Sequence, residues 1–115
     1  MKRLIEWMVG SHTERALLER CRDAVRELLP GAEVILYGSR ARGDAGPESD
    51  YDLLVLVDGP VDWRLEDQIR QCLYDLELET GTVVTINAYN RADWRSPLYR
   101  AMPFTQNVER EGIVL

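Results

Sequence analysis

Two aspartates spaced two apart, Asp50 and Asp52, and a glycine–serine pair, Gly38-Ser39, are the residues of this chain best suited to chemistry. They share one stretch, Val34 to Val57, which reads VILYGSRARGDAGPESDYDLLVLV. Apolar, β-type runs at Val34–Tyr37 and Leu53–Val57 bracket a polar loop. A strand repeats every two residues, so side chains at i and i+2 leave the same face. The two carboxylates should therefore project together. Like charges that close repel unless a cation lies between them. Hard divalent ions such as Mg2+ take oxygen ligands, often one or two carboxylates plus substrate phosphates. The pair reads as half of a metal site whose other half is a polyphosphate.

The head of the loop fits that reading. Gly38 lets backbone approach a ligand with no Cβ in the way. Ser39 offers a hydroxyl at a strand end, where the free N–H groups of a helical turn suit phosphate. Arg40 and Arg42 supply planar donors for phosphate oxygens. Taken singly, Gly-Ser is a common turn, Asp-x-Asp an ordinary solvated strand start, and the arginines surface charge. Their order and spacing between two strands make the set specific. GSRARG lacks the lysine and spacing of a Walker loop and is not GxGxxG.

The elements that must position these residues follow from periodicity and punctuation. Residues 1–9 read as a short helix or an edge strand, with Trp7 and Met8 directed to the core. Ser11-His12-Thr13-Glu14 has the form of a capping box. Leu17, Leu18, Cys21, Val25, Leu28 and Leu29 then recur at helical spacing, predicting an amphipathic helix over 12–29 that Pro30-Gly31 ends. Strand one is expected at 33–38, an irregular loop at 40–49, and strand two at 51–57. Asp62 opens a second helix over 62–79, with Leu65, Ile69, Cys72, Leu73 and Leu76 on one stripe. Strand three is expected at 82–88, with Val83, Thr85 and Asn87 on one face and Val84 and Ile86 on the other. The tail reads as a turn at 90–95, a helical turn at 97–101, a break at Pro103 and a short closing strand at 112–115. A mixed sheet follows: strands one and two antiparallel, and a parallel crossover to strand three.

Composition narrows the class. The chain has 115 residues, 45% of them hydrophobic, enough for one small core. Its formal net charge of −6 disfavours a general nucleic-acid binder. No apolar run is long enough to span a membrane and Met1–Val9 does not read as a signal peptide, so the protein is expected to be cytoplasmic. Cys21 and Cys72 lack a CxxC partner and read as free buried thiols. His12, the only histidine, reads as a surface residue near a helix start. Trp63, Trp94, Tyr99 and Phe104 are large residues near loops, suited to the core first and to a partner surface second.

The chain resembles the minimal nucleotidyltransferases (MNT) of the DNA polymerase beta superfamily. Gly38-Ser39, ten residues, then Asp50-x-Asp52 matches their signature, and the likeness extends through LYGSRARGDA and SDYDLLVLV. Ser96-Pro97 and the tail Asn107–Leu115 are also similar, so nearly all the chain is covered. The resemblance implies one domain over residues 1–115. It implies a nucleotidyltransferase (polymerase beta-like) α/β fold, with a small mixed sheet, helices packed mainly on one face and the motif at one sheet end. On this chain Asp50 and Asp52 would hold Mg2+, Gly38 and Ser39 the triphosphate of ATP, and Arg40 or Arg42 the leaving group. It also implies a small helical HEPN partner encoded alongside, a toxin neutralised by transfer of AMP to one of its tyrosines.

Full catalysts of the family add a third acidic residue on a later strand, and the matching position here is Thr85, within Val84-Thr85-Ile86. Threonine is no base near neutral pH, and loss of general-base help is worth about 10²–10⁴ in rate. Glu33, Glu77, Glu79, Asp44 and Glu48 stand as substitutes. Three readings stay open: an active transferase, a module that neutralises its partner by contact, and a nucleotide-sensing or structural subunit.

Overall fold

The computed structural model describes residues 1–115. Two long helices form where the apolar stripes and caps place them. α1 runs His12–Leu28, and its start is the expected capping box: Ser11 Oγ accepts from the Glu14 N–H at 3.1 Å, and Glu14 Oε1 accepts from the Ser11 N–H at 3.2 Å. α3 runs Trp63–Thr80, with the Asp62 carboxylate accepting from the Leu65 N–H at 2.9 Å and Gly81 ending it in the left-handed region.

Five strands make one sheet: β1 (Lys2–Arg3), β2 (Glu33–Tyr37), β3 (Tyr51–Val57), β4 (Val84–Asn90) and β5 (Ile113–Val114), in the order β1-β5-β2-β3-β4. β2 and β3 pair antiparallel, and α3 carries the chain over to β4, which pairs parallel with β3. β4 lies two residues later than expected, but its alternation keeps the expected phase: Val84 and Ile86 are buried, Thr85 and Asn87 exposed. The amino terminus is both things expected of it, a short edge strand followed by a 3-10 turn at Leu4–Glu6.

The sheet's two faces are covered unequally. Val34, Leu36, Leu53, Val55, Val57, Val84 and Ile86 join the stripes of α1 (Leu17, Leu18, Cys21, Val25) and α3 (Ile69, Leu73, Leu76) in the main core. On the opposite face Ile35, Leu54 and Leu56 meet Trp94 and Val108, ringed by Tyr37, Tyr89, Tyr99 and Phe104. That smaller layer comes from three short helices: α4 (Arg91–Trp94), α5 (Pro97–Arg100) and α6 (Pro103–Glu111).

α6 departs from the expectation that Pro103 breaks any helix here. Pro103 occupies the first helical position, where its fixed φ suits the turn and its missing N–H has no intrahelical partner to lose. Of the two amino-terminal residues assigned to the core, Trp7 is buried and donates from Nε1 to the Ala41 carbonyl at 3.1 Å, whereas Met8 is 83% exposed. Cys21 is buried and Cys72 half-buried, both as free thiols, and His12 is exposed. Trp94 is buried and Tyr99 and Phe104 half-buried, while Trp63 stands 70% exposed. No helix is long and apolar enough to cross a membrane.

Candidate active site

β3 begins at Tyr51, whose side chain is buried in the main core. Asp50 and Asp52 flank it, so by strand alternation they leave on the other side, the face that carries the short helices. Asp50 is exposed and Asp52 half-buried. Across the ladder, Asp52 lies opposite Tyr37 of β2 on one side and Thr85 of β4 on the other. The Thr85 hydroxyl donates to Asp52 Oδ1 at 2.6 Å. The residue in the place of a third carboxylate thus touches the first two's neighbourhood directly, but as a donor.

The register that sets Tyr37 against Asp52 also sets Gly38 beside it. Gly38 has φ of 79°, and a Cβ there would lie 2.5 Å from Asp52 Oδ2. The positive φ favours glycine, and a Cβ there would push the Asp52 carboxylate aside. Gly38 opens α2 (Gly38–Arg42), the short helical turn expected at Ser39, which runs on to Arg42 into the span expected as irregular loop. Ser39 lies in its first turn, half-buried, and its carbonyl accepts from the Gly43 and Asp44 N–H groups. The glycine–serine turn and Asp52 therefore form one contiguous patch, with Asp50 two residues away along the chain.

The two arginines differ. Arg40 donates from Nε and Nη2 to the Ser49 carbonyl at 3.1 and 2.8 Å and from Nη2 to the Pro47 carbonyl at 3.1 Å. Its guanidinium sits 4.4 Å from the Tyr51 ring centroid, with Glu14 3.6 Å away. Arg42 is more open and bonds Asp44 at 3.0 Å and Glu111 at 3.1 Å, and the hydrogen bonds to Asp44 and then Glu111 raise its already high pKa.

Glu111 was missed by the reading of the sequence. It is the last residue of α6, and its Oε1 accepts the Gly38 N–H at 3.1 Å while the carboxylate holds Arg42. One signal existed: Glu111 lies inside the tail segment that resembles MNT domains. With a helix break assumed at Pro103, nothing carried it toward Gly38.

Four of the five acids considered as substitutes for the third carboxylate are held by other partners. Glu33 pairs with Arg91 and Arg95, both at 3.1 Å, at the far end of β2. Glu77 accepts the Val84 N–H at 3.0 Å, Glu79 pairs with Arg20, and Asp44 with Arg42. Glu48 stays exposed in the loop. Tyr37 reaches over the same face, where its hydroxyl accepts from Asn87 Nδ2 at 2.8 Å, and burial raises its pKa.

A family model described as a nucleotidyltransferase domain matches residues 18–100, which span the whole patch except Glu111. The chain belongs to the nucleotidyltransferase-domain family. Among curated proteins none matches it. Among solved structures it is similar to a chain of a crystal structure of a toxin–antitoxin with AMP-PNP, at 20% identity and a TM-score of 0.60 over 84% of this chain and 69% of that one. At that identity the likeness supports the fold alone.

The donor set of this nucleotidyltransferase domain suits a hard cation. Asp50 and Asp52 offer carboxylate oxygens, and no cluster of three or more His, Cys, Asp or Glu side chains forms an all-protein cage. Mg2+ is commonly bound in that incomplete way, with substrate phosphates and water filling the remaining positions.

Proposed function

We propose that the protein is a single-domain cytoplasmic nucleotidyltransferase over residues 1–115 that moves AMP from Mg-ATP to a hydroxyl of a protein partner. In this reading it is the antitoxin of a HEPN toxin. The observation that carries the proposal is the closeness of Gly38 to Asp52, which sets the glycine–serine turn directly against one of the two motif carboxylates. The family supports nucleotidyl transfer, the AMP-PNP in the similar crystal structure is in keeping with an adenine nucleotide, and the HEPN partner rests on the MNT resemblance.

The residues divide the work as follows. Asp50 and Asp52 hold the metal, and Mg2+, when bound, neutralises phosphate charge as the acceptor hydroxyl attacks and pyrophosphate leaves. Gly38 and Ser39 seat the triphosphate against the aspartates, and Arg42 faces its terminal charge. Arg40, read from sequence as an alternative donor, instead holds the segment 47–49 and so orients Asp50. Positioning of the two reactants and electrostatic stabilisation of the phosphate charge together supply the acceleration in such a site.

Incubation of the partner with α-labelled ATP tests this. Label should transfer to the partner only with Mg2+ present and should vanish with Asp52→Asn. Label on the partner that persists in Asp52→Asn would refute the assignment.

A second reading, a module that neutralises its partner by contact alone, is favoured by one observation: Thr85 supplies no base. It predicts that the complex forms and the toxin is silenced equally well with Asp50→Asn and Asp52→Asn.

A further inference from the structure

A second polar groove lies outside the aspartate patch. It opens between α4, α5 and α6, has a volume of about 670 Å³, and its lining includes Trp94, Thr105, Arg95, Arg100 and Arg110, with Glu109 as the one acid. None of the residues assigned to nucleotide or metal lines it.

Two of the lining side chains are buried yet lack a hydrogen-bond partner: the indole Nε1 of Trp94 and the hydroxyl of Thr105, each in a residue only 2% exposed. Buried donors without acceptors are rare in native proteins, since each one is costly. Here both unpaired groups belong to one groove. The indole N–H only donates, and the hydroxyl can donate.

The charge around them is mostly positive. Three arginines face a single glutamate in a chain whose formal net charge is −6. Arg95 is partly occupied by Glu33 at 3.1 Å and Arg110 by Asn107 at 2.7 Å. The Arg100 guanidinium belongs to no ion pair. A wall made almost wholly of donors, several of them cationic, complements a ligand made of acceptors. A phosphate group has such oxygens in several directions, and arginine matches it in pairs.

We propose that this groove is a second, separate anion site that takes a phosphate group, either free phosphate or the phosphate of a nucleotide. Its donors are the unpaired groups of Trp94 and Thr105 together with the Arg100 guanidinium. The site does not depend on nucleotidyl transfer.

The three tryptophans make the test selective. In a 15N–1H spectrum of the whole protein the indole of Trp7 already donates to Ala41, that of Trp63 belongs to an exposed side chain, and that of Trp94 awaits an acceptor. Trp94→Phe assigns the signal. Titration with inorganic phosphate and, separately, with AMP should move the Trp94 indole saturably and leave the Trp7 indole in place. Arg100→Ala should weaken binding about tenfold, the usual scale for one charge-assisted hydrogen bond, and Arg100→Lys should recover part of it. Asp52→Asn, which disables the aspartate patch, should leave the Trp94 response to phosphate as it is. A tighter response to AMP, with none to adenosine, identifies a nucleotide-borne phosphate, and an equal or tighter response to inorganic phosphate identifies the free ion. Either order supports the site. A Trp94 signal that stays still, that follows sodium chloride or acetate equally at matched ionic strength, or that ignores Arg100→Ala in a folded variant overturns it and leaves a groove filled by water and an adventitious ion only.

Discussion

Thr85 determines how far this patch can go as a catalyst. Its hydroxyl is bound to Asp52 at 2.6 Å, so the position is geometrically right for a third ligand and chemically wrong for a base. Thr85→Asp should therefore raise the initial rate of nucleotidyl transfer with Mg2+, by up to about 10²–10⁴ if proton removal limits it. Without Mg2+ the same variant should melt at a lower temperature than the parent, because three carboxylates then crowd one strand end. An unchanged rate would show that proton removal is not limiting. Glu111 acts from the other side of Gly38. Its carboxylate takes the very N–H and arginine that a triphosphate would use. Removing its charge should relieve the competition, so Glu111→Gln should bind Mg-ATP several-fold more tightly by calorimetry, with little change in the affinity for adenosine. Weaker binding would instead make Glu111 an organiser of Arg42.

At the scale of elements, the segment between α2 and β3 is governed by one side chain. Residues 43–50 contain no helix or strand, yet Arg40 ties the Pro47 and Ser49 carbonyls to Glu14 of α1 and to the face of Tyr51. Arg40→Ala should free the loop, giving faster amide hydrogen exchange over 43–50 and weaker Mg-ATP binding, while α1 and α3 keep their protection. Uniform loss of protection would mean that Arg40 holds the fold rather than the loop. Both long helices, the β2–β3 pairing and the parallel crossover were legible because their signals are local: an apolar stripe, a capping box, a continuous β-type run. The closeness of Gly38 to Asp52 was legible for the same reason, since strand register brings them together over a short span. Glu111 was not, because its role depends on where α6 ends relative to β2, 73 positions away in sequence. Pro103 hid that helix, since proline is both a breaker inside a helix and a favoured first residue. The bonds of Arg40 were equally invisible, as nothing in an arginine's local context says whether it faces phosphate or a carbonyl.

At the scale of the whole molecule the two faces of the sheet have different work. One is a closed apolar core under α1 and α3, and the other carries the aromatic layer with Asp52 beside its Tyr37 edge. The closed face sets how the protein responds to alkali. Cys21 is fully buried in it, and burial, reinforced by the charge of Glu77, pushes its thiol from the ordinary value of 9.0 up to about 12. A pKa raised by folding favours the protonated form in the native state. Its contribution to stability is complete below the unfolded value, declines as pH rises above 9 because the unfolded thiol ionises first, and is gone once the folded thiol ionises near 12. Tyr37 and Tyr51, both raised above 10.0 chiefly by burial, add losses of the same sign at the upper end of that window. Unfolding free energies from urea titrations should therefore be level up to pH 9 and fall beyond it, with Cys21 contributing a slope of at most about 1.4 kcal/mol per pH unit. Cys21→Ala loses some packing at every pH, so the comparison is between slopes: the variant should fall less steeply than the parent just above pH 9. Parallel curves for the two proteins would place the ionising groups elsewhere and show that the α1–α3 face admits water at Cys21.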